Sequence, residues 1–226
     1  MKIVNKLLIF FLFHLSAFGE TEINLSLNSD SIWRGMTQNN GEPTIGADII
    51  FSLDNGFFSG AWIESCCSEN PSFPTREIGF YAGYEKGFSG DLAISVNYVG
   101  TNYPNSKIDN YDEIELNFSF YNFEISYFKG LNNFPDYYEL SYNYDFLNNS
   151  LYLIYGDFES FENDNKSNGS NYSFGIDTLM KGFTLSFFYY YFNANGLKEL
   201  DDDGIVFSLS KMTSFWKFFR FHKVSE

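Results

Sequence analysis

The chain has 226 residues, enough for one all-β domain, and 21% of them are aromatic, including 28 Phe and 17 Tyr. A formal net charge of −15 excludes a nucleic-acid partner, which would need a basic stripe. Mean hydropathy is only −0.22, and no apolar run of about 20 residues follows the N-terminus, so a helical membrane protein is excluded as well.

The first residues read as a secretory signal. Lys2 and Lys6 form a basic start, Leu7 to Leu15 an apolar run, and Ala17-Phe18-Gly19 puts small residues where a signal peptidase needs them. Cleavage after Gly19 is expected, giving a signal peptide over 1–19, a barrel over 20–215 and a tail over 216–226. The apolar run is short for a membrane anchor.

Beyond Gly19 the chain alternates apolar and polar side chains, the signature of strands with one greasy and one wet face. The first strand carries Ile23, Leu25 and Leu27 against Asn24, Ser26 and Asn28. Extending its parity to Arg34 places Asp30 and Arg34 on the wet face and Trp33 on the greasy one. A polar loop, Gly35 to Glu42, follows. The second strand carries Ile45, Ala47, Ile49, Phe51 and Leu53 against Asp48 and Ser52. Asn55-Gly56 reads as a two-residue hairpin turn. That turn pairs Phe58 with Leu53 and Trp62 with Ile49, so both rings join the greasy face of a third strand over 57–64.

Cys66 and Cys67 are adjacent, in a segment rich in Pro, Ser and Asn. They can form a local rim disulfide or stay free, but neighbouring thiols cannot staple distant segments, and a metal needs more ligands. The fourth strand carries Ile78, Phe80, Ala82 and Tyr84, and the fifth, after Lys86-Gly87, carries Leu92, Ile94, Val96 and Tyr98. After a loop with Pro104 and Lys107, the sixth sets Ile114, Leu116, Phe118 and Phe120 against Glu113, Glu115, Asn117 and Ser119. Tyr121-Asn122 turns into a seventh with Phe123, Ile125 and Tyr127. The eighth is the clearest: Tyr138, Leu140, Tyr142, Tyr144 and Phe146 against Glu139, Ser141, Asn143 and Asp145. Asn148-Asn149 turns into a ninth with Leu151, Leu153 and Tyr155. Acidic loops near 157–170 and through Asp201-Asp202-Asp203 frame the last three strands, marked by Phe174, Phe187 and Phe207.

Connections alternate long and short throughout, and the strand number is even. This is the rhythm of a transmembrane antiparallel up-and-down β-barrel in the bacterial outer membrane, with about twelve strands, short periplasmic turns and longer extracellular loops. Closure leaves no sheet edge in lipid. The wet parity then assigns the lumen: Asp30, Asp48, Glu77, Glu113, Glu115, Glu124, Glu139, Asp145 and Asp177, with Arg34 the only lumen-facing base on a strand. Carboxylates lining an open lumen favour cations. Equally, the acids can pair with Arg34 and fill a narrow barrel, and inward rings such as Tyr81 and Phe188 can block it. Arg34 is either the knot of a salt-bridge network or a constriction residue. An aromatic girdle is expected from Trp33, Trp62, Tyr84, Tyr98, Tyr144 and Tyr191.

Ser29-Asp30-Ser31-Ile32-Trp33-Arg34-Gly35-Met36-Thr37-Gln38, followed by Pro43, resembles the opening signature of the TorF family, bacterial proteins labelled as porins. Gly56 to Trp62, Glu77 to Tyr84, Asn102-Tyr103-Pro104 and Tyr111-Asp112-Glu113 resemble its later blocks. The resemblance implies a porin. Ser31 and Gly79 depart from the pattern, standing where an aromatic and an acid are usual, and the basic, aromatic tail from Trp216 is unusual too.

His-dependent catalysis is not available, because the two histidines are His14, in the signal, and His222, in the tail. An enzyme, a cofactor and a metal site are not expected. The leading reading is passive passage of small solutes, with cations preferred. The alternative is a plugged barrel that binds, adheres or supports structure through its acidic loops. Expected partners are outer-membrane lipid and lipopolysaccharide, periplasmic chaperones and barrel-assembly machinery, and small solutes or cations.

Overall fold

A computed structural model describes residues 19–66, 76–88, 91–104, 109–132, 134–158, 169–195 and 201–214. The expected signal peptide lies almost wholly outside them, as do Cys67, Phe215 and the tail. Twelve strands close into one antiparallel barrel: β1 (Gly19–Asn28), then β4 (Thr44–Leu53), β5 (Phe57–Glu64), β6 (Glu77–Phe88), β7 (Leu92–Asn102), β8 (Tyr111–Phe120), β9 (Phe123–Gly130), β10 (Tyr137–Phe146), β11 (Asn149–Phe158), β12 (Gly169–Met180), β13 (Phe183–Ala194) and β14 (Asp202–Ser214). Each strand pairs with its sequence neighbour. β1 also pairs with β14, Glu22 opposite Ser214 through Asn28 opposite Ser208, and this closes the wall. Two very short strands, β2 (Ile32–Trp33) and β3 (Met36–Thr37), form a separate hairpin in the connection between β1 and β4.

The greasy parity faces outward. Leu25, Phe118, Leu153, Phe174 and Phe207 are all more than two-fifths exposed. An apolar skin of this extent is compatible with lipid and not with water. Tyrosines lie in rows across this face at the end carrying the longer connections: Tyr127 stacks on Tyr138, and Tyr172 packs against both Tyr155 and Tyr191. Of the expected girdle, Tyr84, Tyr98, Tyr144 and Tyr191 do face outward, Tyr84 packing on the exposed Phe57 ring.

Two girdle residues are corrected. Trp62 points inward. The connection between β4 and β5 has three residues, not two: the Gly56 amide bonds to the Leu53 carbonyl (3.0 Å), and Gly56 sits at φ 96°. This type I turn followed by a left-handed glycine shifts the register by one. Trp62 then faces Asp48 and Ala61 faces Ile49. A one-residue slip moves every side chain of a strand to the other face.

Trp33 is inward for a different reason. The first strand ends at Asn28, not near Arg34, and the chain then folds into the lumen. Arg34 (φ 50°) and Gly35 (φ 81°) form the two-residue turn of the β2–β3 hairpin, both in the left-handed region such a turn demands. Smaller differences concern the turns. The hairpin between β10 and β11 turns at Leu147-Asn148, not Asn148-Asn149, and β6 runs on to Phe88, so its turn follows Lys86-Gly87.

Candidate functional site: an inward hairpin above an acidic lumen

The hairpin crosses the barrel at the long-connection end, and its root is fastened on two sides. Ser31 and Thr44 hydroxyls donate to Glu64 on β5, at 3.2 and 2.7 Å, and the Thr37 amide donates to Asp202 (2.8 Å) on β14, on the other side of β1. Asp30, in the bend before the hairpin, is buried and caps the Ser31 amide (2.8 Å). Burial holds its carboxyl above the usual value, and the nearby Asp202 adds to this against the lowering effect of its hydrogen bonds.

At the tip, one Arg34 nitrogen donates to both carboxylate oxygens of Glu113 on β8, at 2.8 and 2.9 Å. Both side chains are almost wholly buried. The guanidinium carbon also lies 4.3 Å from the Tyr137 ring centre, 4.6 Å from Phe128, 4.7 Å from Trp33 and 5.4 Å from Phe158. Its other terminal nitrogen has no hydrogen-bond partner among the described residues and is left to these ring faces, which attract cations. Trp33, Met36 and Phe128 pack against the buried cluster of Tyr137, Phe158, Phe192 and Ala194. Gly35 is close to Asn171: a Cβ there would lie 2.4 Å from the Asn171 Cβ. The Tyr137 hydroxyl donates to Glu139 (2.9 Å).

Below the hairpin the inward wall is polar. Glu115 accepts from Asn97 (2.7 Å), Glu124 from Ser119 (2.6 Å), Glu77 from the Trp62 indole (2.6 Å), and Asp145 from Ser150. Asp48 and Asp177 share this face. Lys86, Lys129 and Lys211 all have outward parity; Lys129 bonds Asp136 (2.8 Å) and Lys211 lies over the outward Phe183 ring. A cavity of about 360 Å³ opens here between β5 and β9, lined by Trp62, Tyr81, Asn97, Glu115, Asn117 and Glu124 among others. Tyr81 and Phe188 both point inward, as their parity predicts, but Tyr81 does not fill this cavity.

Of the predicted interior residues, Arg34, Glu113 and Glu139 come together at the hairpin tip. Asp30 sits at its root, Glu77 by Trp62, and Glu115 and Glu124 share the lower cavity. Asp48, Asp145 and Asp177 stand apart from these groups. Sequence reasoning missed Glu64, because the slipped register turned it outward, and Asp202, which read as a loop acid. Cys66 is disulfide-bonded and packs with Tyr103. Among the described residues, no group of three or more His, Cys, Asp or Glu is placed to hold a metal ion.

A closed barrel with an apolar outside, an acidic inside and a loop folded into its mouth defines the class of membrane β-barrels. The chain belongs to the Gcw_chp family, described as a bacterial protein of unknown function, whose model matches residues 16–211. That match does not carry the TorF name, which rests on resemblance alone. No curated protein matches the sequence. Solved structures of similar fold include the KdgM porin in complex with disordered oligogalacturonate, at 10% identity and TM-score 0.59 over 87% of this chain and 99% of that one. The NanC porin matches at 7% identity and TM-score 0.54 over 85% and 98%. Acinetobacter baumannii Omp33 matches at 8% identity and TM-score 0.51 over 87% and 98%. These likenesses concern the fold.

Proposed function

We propose that this chain is an outer-membrane barrel that passes small solutes, prefers cations and is narrowed at its mouth by the β2–β3 hairpin. The observation that carries this reading is the charge distribution of the wall. Carboxylates and neutral polar groups face the lumen, the lysines on described strands face out, and the one inward guanidinium among the described residues is already paired with Glu113. Fixed negative charge in a narrow, low-dielectric passage attracts cations and repels anions. On this reading the anionic oligogalacturonate found with KdgM is a poor solute for this lumen. The chain is read as a carrier of solutes and not as an enzyme.

A second reading has its own support. The hairpin tip is locked on Glu113 and buried among aromatic rings, as in a barrel closed by its own loop and acting through binding or structure. Liposome swelling separates the two. Liposomes carrying the purified protein should swell faster in small cationic solutes, such as lysine hydrochloride, than in sodium gluconate. Swelling no faster than protein-free liposomes in either would favour the closed barrel.

A further inference from the structure

The lower cavity has a wall that cation attraction alone does not require. Three aromatic residues face it from β5 and β6, and each lies directly across the ladder from a glycine: Phe58 opposite Gly83, Tyr81 opposite Gly60, Trp62 opposite Gly79. The rings occupy the space those glycines leave. A Cβ on Gly79 would meet the Trp62 indole at 1.9 Å, one on Gly60 the Tyr81 ring at 2.4 Å, and one on Gly83 the Phe58 ring at 2.6 Å. Covering a strand glycine with a cross-strand ring stabilises the sheet, and here it also gathers three rings on one wall, tilted by 54° between Phe58 and Tyr81 and by 32° between Trp62 and Tyr81. Their centres are 6.1 Å apart from Phe58 to Tyr81 and 6.1 Å from Trp62 to Tyr81. Gly79 is one of the positions where the chain departs from the TorF pattern, and an acid there would collide with the indole.

Facing strands β8 and β9 supply Glu115, Glu124 and Asn117, whose amide oxygen is buried without a hydrogen-bond partner among the described residues. Aromatic faces attract organic cations through the ring quadrupole and offer them apolar contact, and carboxylates balance the charge. A small metal cation would be served by the carboxylates alone; an anion would be repelled. A neutral sugar would use the rings but not the uniform sign of charge.

We propose that this cavity is a binding subsite for organic ammonium compounds, solutes that present a substituted nitrogen cation to the Phe58–Tyr81–Trp62 wall with Glu115 and Glu124 opposite. The subsite names a solute class for the passage proposed above and rests on that reading.

Tetraethylammonium chloride, titrated calorimetrically into the barrel purified from membranes in detergent, is the probe. Saturable binding is expected, with xylose at the same concentration giving none. Tyr81→Leu and Glu115→Gln should each weaken it by roughly three- to tenfold. Gly79→Ala should do the same by pushing the indole off the wall. A heat-modifiable gel shift shows that each variant is folded, and Tyr81, whose hydroxyl makes no hydrogen bond among the described residues, is the variant least exposed to misfolding. No saturable binding, equal binding of xylose, or unchanged affinity in folded Tyr81→Leu overturns the subsite. Measuring ion current with the same preparations separates the two readings: current without binding removes the subsite and leaves the passage, and binding without current removes the passage and leaves the subsite.

Discussion

Arg34 shows how much one side chain can decide. Its backbone sits in a left-handed conformation that non-glycine residues rarely adopt, and its charge is buried. Replacing Arg34 by Ala would leave Glu113 desolvated and unpaired, which typically costs about 3–5 kcal/mol. Chemical unfolding in detergent should show that loss in Arg34→Ala and a much smaller one in an Arg34→Met, Glu113→Gln double variant, where both charges go together. Gly35→Ala is expected to cost roughly 1–3 kcal/mol in the same assay, because the φ of 81° is unfavourable for alanine and its Cβ would press on Asn171. Asp136, in the connection between β9 and β10, gives a pH test. Burial opposes its ionisation, but Lys129, the Tyr127 hydroxyl and the Gly130 amide outweigh this and hold its carboxyl below the usual 3.8. A depressed folded value means that its contribution is complete above 3.8 and is lost as pH falls through the lower folded value. The proton of the Gly130 amide, whose nitrogen lies 3.0 Å from the Asp136 carboxylate, should therefore titrate by NMR with a midpoint below 3.8, and not at all in Asp136→Asn.

The elements differ in how openly the sequence declares them. Strands such as β8 and β10 repeat apolar and polar residues long enough that only one face can meet lipid, so their existence and parity are legible. Glu113, Glu115 and Glu139 are placed inside by alternation alone. The β4–β5 register is not legible, because Asp54-Asn55-Gly56 serves a two-residue or a three-residue turn equally well; both want a left-handed Gly56, and what separates them is Asn55, which lacks the positive φ a two-residue turn would need. With that slip went Trp62, Glu64 and the aromatic wall. The β2–β3 hairpin was hidden for another reason. Strands of two residues carry no period, and carrying the parity of β1 on through the polar Ser29-Asp30-Ser31 made Arg34-Gly35 read as the end of a strand and not as a turn. Only the three-dimensional closure of the barrel brings the hairpin against Glu113, 79 positions along the chain. If this element is the constriction, shortening 32–37 to a Gly-Ser link should enlarge single-channel conductance while β-type circular dichroism stays unchanged. Conductance that does not rise would place the narrowest point elsewhere.

At the scale of the whole molecule, the barrel separates its side chains by what they can tolerate. Apolar rings and aliphatics cover the outside, tyrosines gather at the long-connection end, lysines on described strands stay on the outward face, and acids turn inward. Closure of β1 on β14 is what makes this separation possible, since it removes the unpaired edges that lipid would not accept. The most direct test is the reversal potential of the protein in a planar bilayer separating two KCl concentrations. A cation-preferring passage predicts current steps whose reversal potential has the sign of potassium selectivity, moving toward zero when Glu115 and Glu124 are both changed to Gln. A folded barrel that passes no current, or one selective for chloride, would contradict it.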